Sequence, residues 1–207
     1  MPATFTAHIV RHGEVHNPTD VLYGRLPGFH LSANGQAQAE AAARALSTVR
    51  LDALYASPME RAQETAGFIA RAQVPPLAVR TDERLNECLT RWEGTAHSVL
   101  AAFNYEIYQD AQPPYETVAD MRRRAVAFLQ EMRRKHPGGQ IAAVTHGDIL
   151  VTLFMMAAGQ GDTGIGRGQL EAWGLPERYP ATASILTLTY HSDADHEVPG
   201  WRYQRPY

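Results

Sequence analysis

Short apolar runs alternate along the chain with longer segments of helical period. TFTAHIV and LDALYAS read as strands, and QIAAVTHG and SILTLTY, partly β-branched and bounded by turn residues, add two more. Between them, the Ala-rich SANGQAQAEAAARAL opens on Ser32 as a predicted N-cap. SPMERAQETAGFIARA predicts a helix with Ser57 at N-cap, Pro58 at N1 and Glu60 closing a capping box. TVADMRRRAVAFLQEMRRK, from Thr117, sets Met121, Ala125, Phe128 and Met132 along one face and stops before Pro137-Gly138-Gly139. DILVTLFMMAA from Asp148 is apolar on every side, as a buried helix would be. Strands alternating with helices predict an α/β fold with a mostly parallel sheet, whose ligands gather at the C-terminal ends of strands. Residues 95–116 and 159–182 carry no clear period, the second being rich in Gly and Pro, and both read as loop insertions.

A length of 207 residues suits one sizeable core, so a single domain over 1–207 is expected. No period of 20–50 residues points to a repeat architecture. A net charge of −3 gives no general pull toward nucleic acid or an anionic membrane, so neither is expected as a partner. The longest apolar run, from Ile149, is too short to span a bilayer. The N-terminus has no basic segment followed by a long apolar run, and Cys88 is the sole cysteine, so a reducing, cytoplasmic location is expected.

Chemistry enters where the strands end. The first run delivers Arg11, His12 and Gly13; the second delivers Ser57, with Arg61 one turn into the next helix; the strand from Gln140 delivers His146 and Gly147. VRTDERLNECLTRWEG places Glu87 and Glu93 after a further possible strand. In a parallel sheet these groups share one rim. Two guanidiniums could bracket a phosphoryl dianion, each charge pair at about 4 Å contributing roughly 4 kcal/mol before desolvation. Helix N-termini would add N–H groups, a neutral imidazole could attack phosphorus, and a carboxylic acid could protonate the departing alkoxide. Taken singly, His146 also reads as a turn residue, Arg61 as a surface cation and Glu87 as a solvated carboxylate.

Four blocks, RHGE at Arg11, SPMERAQET at Ser57, RLNE…WEG at Arg84 and VTHGD at Val144, together resemble the histidine phosphatase superfamily, the cofactor-dependent phosphoglycerate mutases and their phosphatase relatives. The resemblance spans roughly residues 5–150, with a closing strand near Ser184. It implies a three-layer α/β/α sandwich of the phosphoglycerate mutase-like kind. It also implies His12 as the nucleophile that becomes phosphohistidine, Arg11 and Arg61 as phosphoryl ligands, and His146 completing the pocket. Glu87 is implied as proton donor, with Glu93 a weaker candidate. No metal or diffusible coenzyme is implied for the phosphatases. Asn17, Gly13, Tyr23, Gly24, Arg25, Ser57 and Gly147 are expected on the substrate side. Two departures stand out: Val15 and Pro18 occupy positions where many members carry Ser/Thr and Asn, and Arg91 stands where many carry Gly.

The expected activity is hydrolysis of a phosphomonoester of a small metabolite through a phosphohistidine. Mutase-type phosphotransfer is the alternative, but between Gly94 and Thr117 the chain has no Lys or Arg, only His97, to hold an acidic substrate. A non-catalytic phospho-ligand module is the other alternative, weakened because all five core positions are present. A homodimer is compatible with the sequence. His8, His12 and His16 would form a metal face only on a helix, and this segment reads as strand then loop. GDTGIGRG lacks the Lys-Ser/Thr ending of a P-loop and reads as a lid or flexible loop. The MRRRAV and MRRKH clusters read as a solvated helix face, with Arg124 an anchor near the site. Cys88 reads either as oxidisable or as an inert buried thiol.

Overall fold

In the computed structural model, which describes residues 4–162, 164–165, 168–192 and 194–207, the first strand, β1 (Phe5–Arg11), divides two cores. Phe5, Ala7 and Ile9 point into one, and Val10 into the other. The chain then runs through α1 (Ala33–Leu46), β2 (Ala53–Ala56), α2 (Glu60–Ala72), β3 (Val79–Thr81), a 3-10 turn (Glu83–Leu85), α3 (His97–Ala101) and α4 (Val118–Lys135). It closes with β4 (Gln140–Thr145), α5 (Gly147–Ala157), β5 (Ile185–Tyr190) and β6 (Gly200–Gln204). The sheet order is β3-β2-β4-β1-β5-β6. The first four of these run parallel, and β5 is antiparallel to both neighbours.

Period-two alternation puts Ile141 and Ala143 of β4 beside Ile9, and Ala142 and Val144 beside Val10. The small apolar faces of α1 and α2 (Ala42, Ala43, Ala62, Ala66, Ile69) cover the Val10 side. Met121, Ala125, Phe128 and Met132 of α4 cover the opposite side, together with α5. The result is the expected α/β/α sandwich. Except for Met156, the residues of α5 are buried, which explains an apolar pattern with no polar face.

Capping decides where these helices start. Ser32 Oγ accepts from the Gly35 N–H at 2.9 Å, and Thr117 with Asp120 forms a reciprocal capping box. The box expected at Ser57 does not form: α2 begins at Glu60, after Met59, without a side-chain cap. Ser57 Oγ instead donates to Asn86 Oδ1 at 3.0 Å and accepts the N–H of Met59, the N-cap residue, at 3.3 Å, so its hydroxyl ties the sheet rim to the approach of α2. β6 has an exposed or half-exposed residue at every position, so no alternation marks it in the sequence. The basic clusters on α4 are not a solvated face throughout. Arg133 is buried and binds the Ser192 and Ala194 carbonyls, and Arg122 binds those of Gln160 and Gly161. Part of GDTGIGRG, at 163, 166 and 167, lies outside the described residues.

The rim is locked to the sheet by backbone bonds: His12 N–H donates to the Thr145 carbonyl at 2.9 Å, and Ser57 N–H to that of Val144 at 2.9 Å. Beyond β1 the chain passes in backbone contact with the start of α1. A Cβ on Gly13 would lie 2.4 Å from the Gly35 carbonyl oxygen, and one on Gly35 would lie 1.9 Å from that of Glu14. Gly13→Ala is therefore expected to destabilise the fold by about 1–3 kcal/mol, because backbone on both sides prevents relaxation. A urea midpoint unchanged by the substitution would contradict the close approach.

Candidate active site

β1 ends by turning His12 inward, 1% exposed, with the ring fixed by its neighbour: Nδ1 lies 2.7 Å from the Gly13 carbonyl oxygen. A carbonyl can only accept, so the proton sits on Nδ1 and the Nε2 lone pair is left available. Burial, then the charges of Arg61 and Arg11, hold the ring's pKa well below the ordinary imidazole value. His12 is thus kept neutral, as a nucleophile must be.

Arg61, from the first turn of α2, is 0% exposed. Its Nη2 donates to the Gly24 carbonyl at 2.6 Å and to His146 Nδ1 at 3.1 Å, and its guanidinium stacks over the Tyr23 ring at 4.7 Å. Nε and Nη1 are buried without a hydrogen-bond partner among the described residues. Such donors are costly to bury unpaired, and they suit a ligand's oxygens. Arg11 donates through Nη1 to the Pro180 carbonyl and lies 5.1 Å from the centroid of the Tyr179 ring, with its Nε also unpaired.

His146 is the N-cap residue of α5 and is completely buried. Because Arg61 donates to Nδ1, the His146 proton lies on Nε2, which donates to Ser57 Oγ at 2.8 Å; Ser57 passes its own proton toward Asn86. Burial and the Arg61 charge keep this ring neutral as well. The two imidazole centroids are 5.1 Å apart. Ser57 thus orients His146, and His146 orients Arg61.

Glu87 follows the 3-10 turn. Its Oε1 accepts from the Cys88 N–H at 2.9 Å, and its Oε2 lies 4.0 Å from His146 Nδ1. Burial first, then the nearby Asp148 charge, pushes its pKa up to about 7 against the pull of Arg61 and Arg11. Arg124 grips this segment from α4, binding the carbonyls of Arg84 and Asn86, each at 2.6 Å, and that of Glu87 at 3.2 Å. Cys88 is buried, and burial drives its thiol pKa upward, so it behaves as an inert thiol.

A cavity of about 190 Å³ is lined by Arg11, His12, Tyr23, Gly24 and Glu87, with Leu22, Cys88, Thr90, His97, Ile107, Asp148 and Tyr179 completing its wall. Arg61 and His146 lie behind this lining. A larger cavity of about 320 Å³, between Tyr105, Met155 and Trp173, contains none of these groups. Two expected substrate-side residues, Arg25 and Asn17, and the weaker acid candidate Glu93 are occupied elsewhere. Arg25 donates to the Glu87 carbonyl at 2.7 Å and pairs with Glu116 at 2.6 Å, bracing the acid's segment from behind. Asn17 Nδ2 donates to the Val21 carbonyl at 2.8 Å and closes its own turn. Glu93 accepts from the Arg25 N–H at 2.6 Å, and a Cβ on Gly24 (φ +43°) would meet its carboxylate at 2.4 Å. Gly147 is needed for space, since a Cβ there would lie 2.2 Å from the Tyr179 hydroxyl. Tyr108 and Tyr179 are additions that no local motif marks, and Asp148, the last residue of the VTHGD block, joins them in the wall without an expected role.

Residues 7–192 match the model of the histidine phosphatase superfamily (branch 1). An uncharacterized protein of Mycobacterium tuberculosis is 37% identical over 201 residues, covering 93% of this chain and 94% of that one. Phosphoserine phosphatase 1 of Hydrogenobacter thermophilus is 30% identical over 148 residues, covering 67% and 69%. Among solved structures, a mycobacterial glucosyl-3-phosphoglycerate phosphatase superposes with a TM-score of 0.77 over 98% of both chains, at 24% identity.

Proposed function

The chain belongs to the histidine phosphatase superfamily (branch 1), and from that premise we propose that it releases phosphate from a small phosphorylated metabolite with His12 as nucleophile. One observation carries the reading: a neutral, buried His12, its Nε2 lone pair left available, shares a cavity with Glu87 while Arg61 keeps unpaired donors beside it.

In the first step His12 Nε2 attacks phosphorus, the P–O ester bond breaks, and the Glu87 carboxylic acid gives its proton to the departing alkoxide. Arg11 and Arg61 balance the charge on the phosphoryl oxygens as it redistributes. In the second step the Glu87 carboxylate takes a proton from water, whose oxygen attacks phosphorus. The P–N bond breaks, and neutral His12, protonated Glu87 and inorganic phosphate result. The same reading takes 1–207 as one catalytic domain in a reducing cytoplasm, in keeping with its single buried thiol. No described helix is long and apolar enough to cross a membrane.

A screen of phosphorylated metabolites with phosphate detection, run on wild type beside His12→Ala, tests this. Phosphate release that disappears in the variant supports it. Isomerisation of 3-phosphoglycerate in the presence of a bisphosphate primer, with little free phosphate, would contradict it.

The pH profile follows from the two environments. The Glu87 acid form is needed, and with its pKa near 7 that form is present below about pH 7 and declines above it. His12 and His146 are held well below 6.5, so both stay neutral into the acid range. The expected kcat/KM on an alkyl phosphate is a bell whose alkaline limb falls near pH 7 and whose acid limb lies below 6.5. An alkaline limb in the ordinary carboxylate range would contradict the assignment of Glu87.

A further inference from the structure

Two carboxyl groups line the cavity, and the mechanism above uses only one. Asp148, on the first turn of α5, is buried at 6% exposure. Its Oδ1 accepts the Tyr179 hydroxyl at 2.5 Å, and its Oδ2 accepts the hydroxyl of Tyr108. Tyr108 comes from the loop between α3 and α4, and Tyr179 from the segment before β5, so distant stretches of chain converge on one side chain. Tyr179 reaches Asp148 across Gly147, where any side chain would block it. Both phenols donate hydrogen bonds to the carboxyl oxygens, so together they lock the side chain in place.

We propose that Asp148 is a positioning residue for the proton donor: a fixed negative charge, clamped by Tyr108 and Tyr179, that keeps the reaction's proton on Glu87. The proposal rests on Glu87 being the acid. The titratable and charged groups around Glu87 are Arg11 at the end of β1 and His12 after it, Tyr23 from the following loop, Arg61 from α2, Cys88 beside it, His97 from α3, His146 and Asp148 from the start of α5, and Tyr179 from the segment before β5. Arg25, Arg124 and Glu116 hold its backbone from behind. Arg11 and Arg61 favour the carboxylate of Glu87, whereas burial and Asp148 favour the acid. Without Asp148 only burial would oppose the two guanidiniums, so less of Glu87 would hold its proton near neutrality and fewer alkoxides would leave protonated.

Asp148→Asn keeps the shape and removes the charge. The alkaline limb of kcat/KM on an alkyl phosphate should move down by about one pH unit or more, so that the wild-type to variant ratio climbs between about pH 5.5 and about pH 8. On p-nitrophenyl phosphate, whose phenolate leaves without help, the ratio should stay nearly flat. A ratio equal at every pH on both substrates would reduce Asp148 to a packing residue and overturn the proposal. If the variant does not fold, carboxyl ¹³C titration of the wild type, with the Glu87 signal assigned by Glu87→Gln, decides instead. Glu87 should hold its proton near neutrality while Asp148 is ionised; the reverse order overturns the proposal. An unmoved limb in an enzyme whose turnover still depends on His12 sinks the Asp148 assignment alone. Absence of phosphate release from the wild type sinks the phosphatase reading itself.

Discussion

His12→Ala is expected to lose at least about four orders of magnitude in kcat/KM for phosphate release, because it removes the atom that bonds to phosphorus. The loss should come without unfolding. The backbone at this position is held independently of the ring, by His12 N–H to the Thr145 carbonyl at 2.9 Å and by Ala183 N–H to the His12 carbonyl at 3.0 Å. A native-like circular dichroism spectrum alongside absent turnover would separate the chemical role from a structural one. Residual activity within about tenfold of wild type in pure protein would remove His12 from the mechanism.

Glu87→Gln is expected to have the next largest effect, and a selective one. The amide preserves the shape of a side chain gripped at its carbonyl by Arg25 and Arg124, yet it has no acidic proton to give. General acid catalysis contributes about 10²–10⁴-fold, so alkyl phosphates should lose that much. With p-nitrophenyl phosphate the loss in kcat/KM, which reports transfer to His12 and not the later water step, should be about tenfold or less, since little of that barrier lies in protonating the leaving group. The alkaline limb near pH 7 should vanish from the variant's profile at the same time. Equal losses on both substrates would mean that Glu87 serves the phosphoryl group or the fold and not the leaving group.

These effects trace back to how much of the site could be read along the chain. Arg11, His12, Arg61 and His146 were legible because each follows an apolar run at a fixed offset, and a parallel sheet brings such offsets to one rim. The Ser32 cap was legible because it is built within one turn, whereas the box at Thr117 was not marked. Ser57 reads as a cap because a serine before Pro-x-Glu has the same signature whether its hydroxyl caps a helix or turns to a histidine 89 residues away. Arg25 reads as a substrate-side group from its place after His12, yet its guanidinium meets Glu116, 91 residues on. Asn17 reads as a pocket residue until its amide is found closing a local turn. Asp148 ends the VTHGD block, but nothing in that block marks its partners, which lie 40 and 31 residues away on loops without period. What escaped the sequence were contacts between distant loops, and those contacts tune the site whose main groups local pattern had already marked.

The central claim, a covalent phosphoenzyme on His12, is tested most directly by trapping it. Wild-type protein turning over a ³²P-labelled phosphomonoester would be quenched in alkaline denaturant, digested and mapped. The account predicts an alkali-stable, acid-labile label on the peptide that carries His12, absent from His12→Ala. A label on any other residue, or sustained phosphate release with no labelled enzyme at all, would contradict it.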